Sequence, residues 1–106
     1  MTNSNRKGKT GELDLVNFLK SLGIEARRGQ QYEGGSDSPD VLAGGALENI
    51  HIECKRCEAG NPYKWLEQAK SDAGTKTPIV AHRKNGKDWI VIIELEKFIK
   101  LISVRF

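Results

Sequence analysis

The sequence predicts a mixed α/β layer domain whose elements follow the order αβββαββα. Three patterns support this prediction. Apolar residues recur at helical spacing near the N-terminus, alternate with polar residues around position 50, and form short runs on either side of position 85. The 106 residues suit one domain with a modest core, and no internal repeat or linker divides them.

The first predicted helix spans residues 10–22 and follows a polar, basic segment, residues 1–9, which we expect to be a flexible arm. Apolar residues at helical spacing form its inward stripe, and Gly23 is a usual C-terminal stop. Glu12 lies on that inward stripe, where a carboxylate is unexpected. Stabilisation of the helix N-terminus by a negative charge is the alternative explanation for Glu12.

Three strands are predicted next, at residues 24–28, 40–43 and 49–55. A polar, glycine-rich segment, residues 29–38, separates the first two and is expected to be a mobile loop. Gly44 and Gly45 form the turn between the second and third strands. The third strand alternates clearly, with Ile50, Ile52 and Cys54 on one face and His51, Glu53 and Lys55 on the other.

The second half of the chain begins with a helix that Asn61 caps and Pro62 opens, ending at Gly74. Two further strands flank Asn85 and Gly86, a strong hairpin signal. Acidic residues at the start of the last helix and lysines near its end match the helix dipole. The predicted ranges are 78–82 and 89–93 for the strands and 95–102 for the helix.

Composition is that of a globular protein: 38% of the residues are hydrophobic and 29% are charged, which argues against disorder. No apolar run is long enough for a membrane span, and the N-terminus lacks the apolar core of a signal peptide, so we expect a cytoplasmic protein. The net charge is +3, and clustered lysines and arginines fit a polyanionic partner. Solvated charge that only aids solubility is an equally good explanation.

Cys54 and Cys57 form a C-x-x-C pair, which raises the question of zinc or redox chemistry. A zinc site needs two more ligands, and His51 and His82 are the two histidines on offer. A redox pair of the thioredoxin type opens a helix after a strand, whereas this pair lies at a strand's end. We therefore interpret both cysteines as structural or incidental.

Asp40, directly after Pro39, and Glu53 lie on neighbouring predicted strands joined by a short turn. Their carboxylates are placed to converge on a hard cation, Mg²⁺ or Mn²⁺, with the backbone carbonyl of Cys54 as a third ligand and Glu12 as a further one. Lys55, beside Glu53, is placed to polarise a water or stabilise a phosphate oxygen. The alternative is an Asp that caps a turn and a Glu–Lys pair facing solvent.

These residues resemble the PD-(D/E)xK signature of restriction-endonuclease-like nucleases, with Pro39-Asp40 followed by Glu53-Cys54-Lys55. The chain is similar over residues 7–95 to the small archaeal and phage Holliday junction resolvases. Those proteins open with a basic Lys-Gly segment and a Glu-bearing helix, have a Gly/Ser-rich loop before Pro-Asp, and carry a helical Gln after Glu-x-Lys. The matching segments here are residues 7–13 and 34–38, together with Gln68.

The resemblance implies an α/β fold with a restriction-endonuclease-like mixed β-sheet flanked by helices, and a role for each matching residue. Asp40 and Glu53 would bind the metal, Lys55 would activate the water, and Glu12 would be the helix-borne acid. Ser36 would lie near the scissile phosphate, although an extra acid in this loop, Asp37, leaves Ser38 as an alternative. Gln68 would contribute from further away.

The expected function is that of a magnesium-dependent endonuclease, with Mn²⁺ able to substitute, that nicks four-way DNA junctions symmetrically and leaves 5′-phosphate ends. A homodimer would present two sites to a two-fold junction. The expected setting is a prokaryotic cell or a phage-infected host cell. Alternatives are a nuclease of the same class that acts on flaps or mismatches, a virus-type replication-repair nuclease, and a DNA-binding module without catalysis.

Several basic residues are expected to contact phosphates and so position DNA without reading its bases. They are Lys7, Lys9, Arg27, Arg28, Arg56, Arg83 and Lys84. His82 is expected at the surface end of a strand, whereas Trp65 and Trp89 are expected in the core. The apolar C-terminal residues are expected to complete the core of the monomer, with a subunit interface as the alternative.

Overall fold

The computed structural model describes residues 3–29 and 39–103, without the side chains of residues 3–8. The helices and strands follow the predicted order αβββαββα, and a short 3-10 turn at Gly45–Leu47 lies between the second and third strands. None of the described helices combines the length and apolarity needed to cross a membrane. The elements are α1 (Asn3–Ser21), β1 (Ala26–Arg28), β2 (Val41–Ala43), β3 (Ile50–Arg56), α2 (Pro62–Asp72), β4 (Thr77–Arg83), β5 (Ile90–Ile92) and α3 (Leu95–Ser103).

The five strands form one mixed sheet in the order β1-β2-β3-β4-β5. β3 and β4 are parallel, because α2 carries the chain back between them, and the other neighbours are antiparallel. β3 and β4 pair along seven residues, from Ile50 opposite Thr77 to Arg56 opposite Arg83. This long central pair is the platform on which Glu53 and Lys55 of β3 lie.

α1 covers one face of the sheet and supplies most of the hydrophobic core. Its buried Leu15, Val16 and Leu19 pack against Ile52 and Ile79 of the central strands. Burial of aliphatic side chains of this size contributes about 1.5–3 kcal/mol each to folding. The apolar stripe predicted from sequence is therefore the surface that holds α1 against β3.

α2 covers the opposite face of the sheet and is set by its N-terminal cap. The Asn61 side chain accepts hydrogen bonds from the backbone N–H groups of Tyr63 and Lys64, at 3.0 and 3.4 Å. Leu66 and Ala69 of α2 pack on Val80 of β4. This second core is smaller than the first, and polar residues of β3 share the space beneath α2.

Gly11 allows the N-terminal half of α1 to approach β3 closely. A Cβ added at this position would lie 2.6 Å from the Cβ of Arg56, well inside the ordinary carbon–carbon contact distance of about 3.5–4.0 Å. The residue that follows is Glu12, so the missing side chain at Gly11 brings that carboxylate to the sheet.

Two predictions about the ends of the chain are wrong. α1 begins at Asn3 rather than at residue 10, so most of the segment expected to be a flexible arm belongs to a helix. The C-terminal helix α3 does not complete the core, because it contains no buried residue. Its exposed apolar side chains include Leu95, Phe98, Ile99 and Ile102.

Candidate active site

The predicted pair of acids is brought together at the edge where β2 meets β3. The Asp40 N–H donates to the Ile52 carbonyl at 3.0 Å, and the Cys54 N–H donates to Asp40 Oδ2 at 2.8 Å. These two bonds place Asp40 across from Glu53, the residue between Ile52 and Cys54. The Asp40 carboxylate thus takes the place of a backbone carbonyl in the ladder, which fixes its orientation.

Glu53 is buried, with 8% of its surface exposed. Its pKa is raised to about 8, first by burial and then by the charge of Asp40, a hydrogen bond with Asp40 and the charge of Asp72. Lys55 opposes the shift because its positive charge favours the ionised form. The Glu53 carboxylate therefore lies among other negative charges, and a bound cation would reduce their repulsion.

The backbone of Cys54 contributes to the same edge, while its side chain does not. The N–H and the C=O of one strand residue point to the same side, so the Cys54 carbonyl, like its N–H, is directed toward β2 and Asp40. The thiol lies on the face of the sheet opposite to Glu53, where it packs against the core beneath α1. Burial, together with nearby carboxylates, raises the pKa of this thiol to about 12.

Glu12 is also buried and is held by a partner that the sequence interpretation assigned to DNA. The Nε of Arg28 donates to Glu12 Oε1 at 2.8 Å, joining α1 to β1. Burial raises the pKa of Glu12, the hydrogen bond from Arg28 lowers it, and the charge of Asp40 raises it. The effect of Asp40 on Glu12 places the two acids within electrostatic reach of each other.

Lys55 lies on the same face of β3 as Glu53, as the alternation of the strand requires, and is half-buried. It sits opposite His82 in the parallel ladder. The expectation of a surface His82 is wrong, since its ring is buried, lies against Trp65 and hydrogen-bonds through Nε2 to the Cys57 carbonyl at 2.9 Å. His82 therefore has a structural role beneath α2.

Two residues that the sequence interpretation did not select complete the surroundings of Glu53. The ligand atoms of His51, Glu53 and Asp72 all lie within 4.8 Å of one another, and among the described residues this is the group of three able to hold a metal ion. His51 is signalled by the alternation of β3, two positions before Glu53. Asp72 is signalled by its place three residues after buried Ala69 on the inward face of α2.

Of the remaining predicted catalytic residues, the described part of the chain includes Gln68. Ser36 and its alternative Ser38 lie outside the described residues. Gln68 is exposed on α2, where its Nε2 donates to Asp72 Oδ2 at 3.1 Å. Gln68 thus reaches the site only through Asp72.

The predicted DNA-contacting residues fall into two groups. Lys9, Arg27 and Lys84 are exposed, whereas the side chain of Lys7 lies outside the described part of the chain. Arg28 is bonded to Glu12, and the other two arginines share Asp14 of α1. The distances from Asp14 Oδ2 are 3.2 Å to Arg56 Nε and 3.0 Å to Arg83 Nη1.

An open groove of about 930 Å³ lies between α1, the end of β3 and the β4–β5 hairpin. Arg56 lines its wall together with Gly11 and Asp14 of α1 and Asn85 of the hairpin. Arg56 also donates from Nη2 to the Asn85 side chain at 3.1 Å. The arginine therefore ties the hairpin to α1 along the wall of this groove.

Comparison with known proteins agrees with this fold. The family model described as archaeal Holliday junction resolvase (Hjc) matches residues 3–101 of the chain. Among solved structures, the chain is similar to Hjc of Archaeoglobus fulgidus, a Holliday junction resolvase from an archaeal hyperthermophile. The two are 22% identical with a TM-score of 0.58, over 77% of this chain and 72% of that chain. No curated protein matches the chain.

Proposed function

The chain is a member of the archaeal Holliday junction resolvase family, and from that premise we propose that it is a metal-dependent endonuclease that cuts four-way DNA junctions. The observation that carries the proposal is the pairing of Asp40 and Glu53 across β2 and β3, with Lys55 on the face of Glu53. Two carboxylates and a lysine at one strand edge supply both a cation site and a positive charge for phosphodiester hydrolysis. The proposal treats the whole chain, residues 1–106, as a single nuclease domain.

The proposed cofactor is Mg²⁺, for which Mn²⁺ can substitute. Asp40, Glu53 and the Cys54 carbonyl would hold it, with Glu12 as a further acid. The donor set fits, because every atom offered is a hard oxygen and because Glu53 is buried among other carboxylates. When bound, the cation would supply Lewis-acid stabilisation of charge on a phosphate oxygen.

The protein's own groups then orient the reacting atoms. The Lys55 ammonium would hold a water and stabilise negative charge at the scissile phosphate, leaving 5′-phosphate and 3′-hydroxyl ends. Arg28 would keep Glu12 ionised and in place through the 2.8 Å bond between them. Ser36, or Ser38 in its place, would lie near the phosphate, and Gln68 would act through Asp72.

Contacts with DNA are proposed to run mainly through phosphates, which suits an enzyme that recognises branched shape rather than base sequence. Arg56 and Arg83 already share Asp14, so a phosphate would compete with that carboxylate for them. The residues proposed to contact DNA are Lys7, Lys9, Arg27, Arg28, Arg56, Arg83 and Lys84.

A homodimer is the proposed working form, because two equivalent sites match the two-fold symmetry of a junction. An apolar groove of about 510 Å³ between α2 and the start of α3 includes Leu66, Ile92 and Leu95. Beside it, the exposed Phe98 and Ile102 of α3 add apolar surface that the monomer leaves uncovered. The proposed setting is the cytoplasm of a prokaryotic cell or of a phage-infected host cell.

The test is a cleavage assay with the purified full chain. End-labelled four-way junction, flap, mismatched duplex and linear duplex are incubated separately with Mg²⁺ and with EDTA. Paired symmetric nicks in the junction, in the presence of Mg²⁺ alone, are expected. Equal cutting of linear duplex would rule out junction selectivity, and junction binding without any cutting would leave a DNA-binding module.

Asp40→Asn tests the metal assignment, with Asp88→Asn as the matched control because Asp88 is an exposed acid of the β4–β5 connection. Asp40→Asn should abolish cleavage while leaving junction binding intact, whereas Asp88→Asn should cut like the unmodified protein. Normal cleavage by Asp40→Asn would show that the proposed cation site is wrong.

A further inference from the structure

The buried imidazole of His51 contacts the proposed metal ligand Glu53 directly. His51 has 2% of its surface exposed, and its Nε2 lies 2.8 Å from Glu53 Oε2. An ionised carboxylate can only accept hydrogen bonds, so when Glu53 is ionised the imidazole Nε2–H is the donor. One of the two carboxylate oxygens of Glu53 is therefore engaged by a side chain of the same strand.

Helix α2 covers the contact between His51 and Glu53. Asp72, at the last position of α2, lies within 4.8 Å of the ligand atoms of both His51 and Glu53. Gln68, one turn earlier, donates to Asp72 Oδ2 and orients it. His51 thus sits in a polar cluster beneath α2, in which a side chain buried to this degree has little freedom to turn.

Glu53 must also face Asp40 on the neighbouring strand, with which it shares a hydrogen bond. A glutamate has three side-chain torsions, and without a second contact its carboxylate can rotate away from the strand edge. The bond from His51 holds Oε2 on the α2 side. The carboxylate is then held between His51 on one side and Asp40 on the other.

We propose that His51 is a positioning residue that fixes the Glu53 carboxylate and so strengthens cation binding at the edge between β2 and β3. This inference rests on the proposed function, because it assumes that Glu53 is a metal ligand. Partners that hydrogen-bond to metal ligands typically change metal affinity or activity by about 10- to 100-fold when they are replaced. An apolar residue at this position would also leave Glu53 Oε2 buried without a donor.

The experiment measures Mg²⁺ affinity of the full chain by calorimetry without DNA, and junction cleavage as a function of Mg²⁺ concentration. His51→Leu removes the donor at similar size, and His51→Gln keeps an amide N–H in reach. His51→Leu should raise the Mg²⁺ dissociation constant about 10- to 100-fold, with cleavage recovered at high Mg²⁺. His51→Gln should restore most of the affinity. If His51→Leu does not fold, His51→Asn replaces it, because the shorter amide cannot reach Glu53.

His82→Leu is the matched control. His82 is the second buried histidine of the same sheet face, but its bond goes to the Cys57 carbonyl. His82→Leu should lower the melting temperature without changing the Mg²⁺ dissociation constant. A role for His51 in folding alone would make the two leucine variants behave alike.

Three results would overturn the inference. The first is an unchanged Mg²⁺ dissociation constant in folded His51→Leu. The second is unmodified protein that binds no Mg²⁺. The third is binding of a second Mn²⁺ ion per chain that is lost in His51→Gln, since His51 would then itself be a metal ligand. Failure of the proposed function would give a different result: the Mg²⁺ affinities would follow the expected order, but no DNA substrate would be cut.

Discussion

Replacing Arg28 by Gln should destabilise the protein by removing the charged partner of a buried carboxylate. The Nε of Arg28 donates to Glu12 Oε1 at 2.8 Å, and the side chains are 31% and 11% exposed. A hydrogen bond to a charged group contributes about 1.5–3 kcal/mol, and the partial exposure of Arg28 keeps the loss in that range rather than at the larger cost of a fully buried pair. For a chain of this size that corresponds to a fall in melting temperature of roughly 6–24 °C.

The loss should depend on pH in a defined direction. Burial already raises the pKa of Glu12, and removing Arg28 removes the main interaction that lowers it. Protonation at low pH relieves the unpaired charge, so the difference between Arg28→Gln and the unmodified protein should be larger above neutrality than near pH 5. Thermal unfolding followed by circular dichroism at both pH values measures this difference.

Arg27→Gln is the matched control, because it makes the same charge change one residue earlier on β1, where the side chain is exposed. Its stability should change by less than about 0.5 kcal/mol. If Arg27 contacts a phosphate as proposed, the slope of log affinity against log salt should shrink by about 0.9. Equal losses of stability in Arg27→Gln and Arg28→Gln would refute the reasoning about the Glu12 partner.

Three further predictions concern other parts of the molecule. Gly11→Ala places a Cβ 2.6 Å from the Arg56 Cβ, so α1 must move away from β3. The overpacking costs about 1–3 kcal/mol of folding free energy, against a helix-propensity gain of about 1 kcal/mol. Junction cleavage should fall because α1 is displaced. Unchanged stability together with unchanged cleavage would contradict the close approach. The raised pKa of Glu53, from 4.5 to about 8, means that the metal-free fold holds a proton which the unfolded chain has lost, so stability should fall as pH rises through that window. Urea unfolding in EDTA should show the free energy of unfolding falling with pH in the unmodified protein, and falling less in Glu53→Gln. The prediction is contradicted if the free energy of unfolding rises with pH in the unmodified protein and this rise is absent in Glu53→Gln. Phe98→Asp, at a side chain 46% exposed in the monomer, should convert a dimer to monomers in sedimentation velocity with little loss of monomer stability, and an intact dimer would place the interface elsewhere.

The order of the helices and strands was predictable because the signals for it are local. The Asn61 cap, the alternation along residues 50–55 and the turn at Asn85 and Gly86 each depend on a few neighbouring residues, and all three are confirmed. The pairing of Asp40 with Glu53 was predictable for the same reason, since a short turn joins their strands. Both predictions needed only the two-residue alternation of a strand and the residue types that favour a turn.

Predictions that depended on what a segment packs against were less successful. The start of α1 was placed too late, because polar residues in its first turns carry no apolar period by which to recognise a helix. α3 has a clear apolar stripe, yet no residue of α3 is buried and the stripe stays exposed. Periodicity identifies an apolar face but does not identify its partner.

The sequence alone therefore determined the fold class, the strand edge with Asp40 and Glu53, and Lys55 beside them. The tertiary structure decided which partners hold the surrounding groups: Arg28 on Glu12, His51 on Glu53, and Asp14 between two arginines. Most of these contacts join residues on separate elements, and Asp14 and Arg83 are 69 positions apart. Charge and size allow each arginine many partners, and the packing of the elements against one another decides which contacts form.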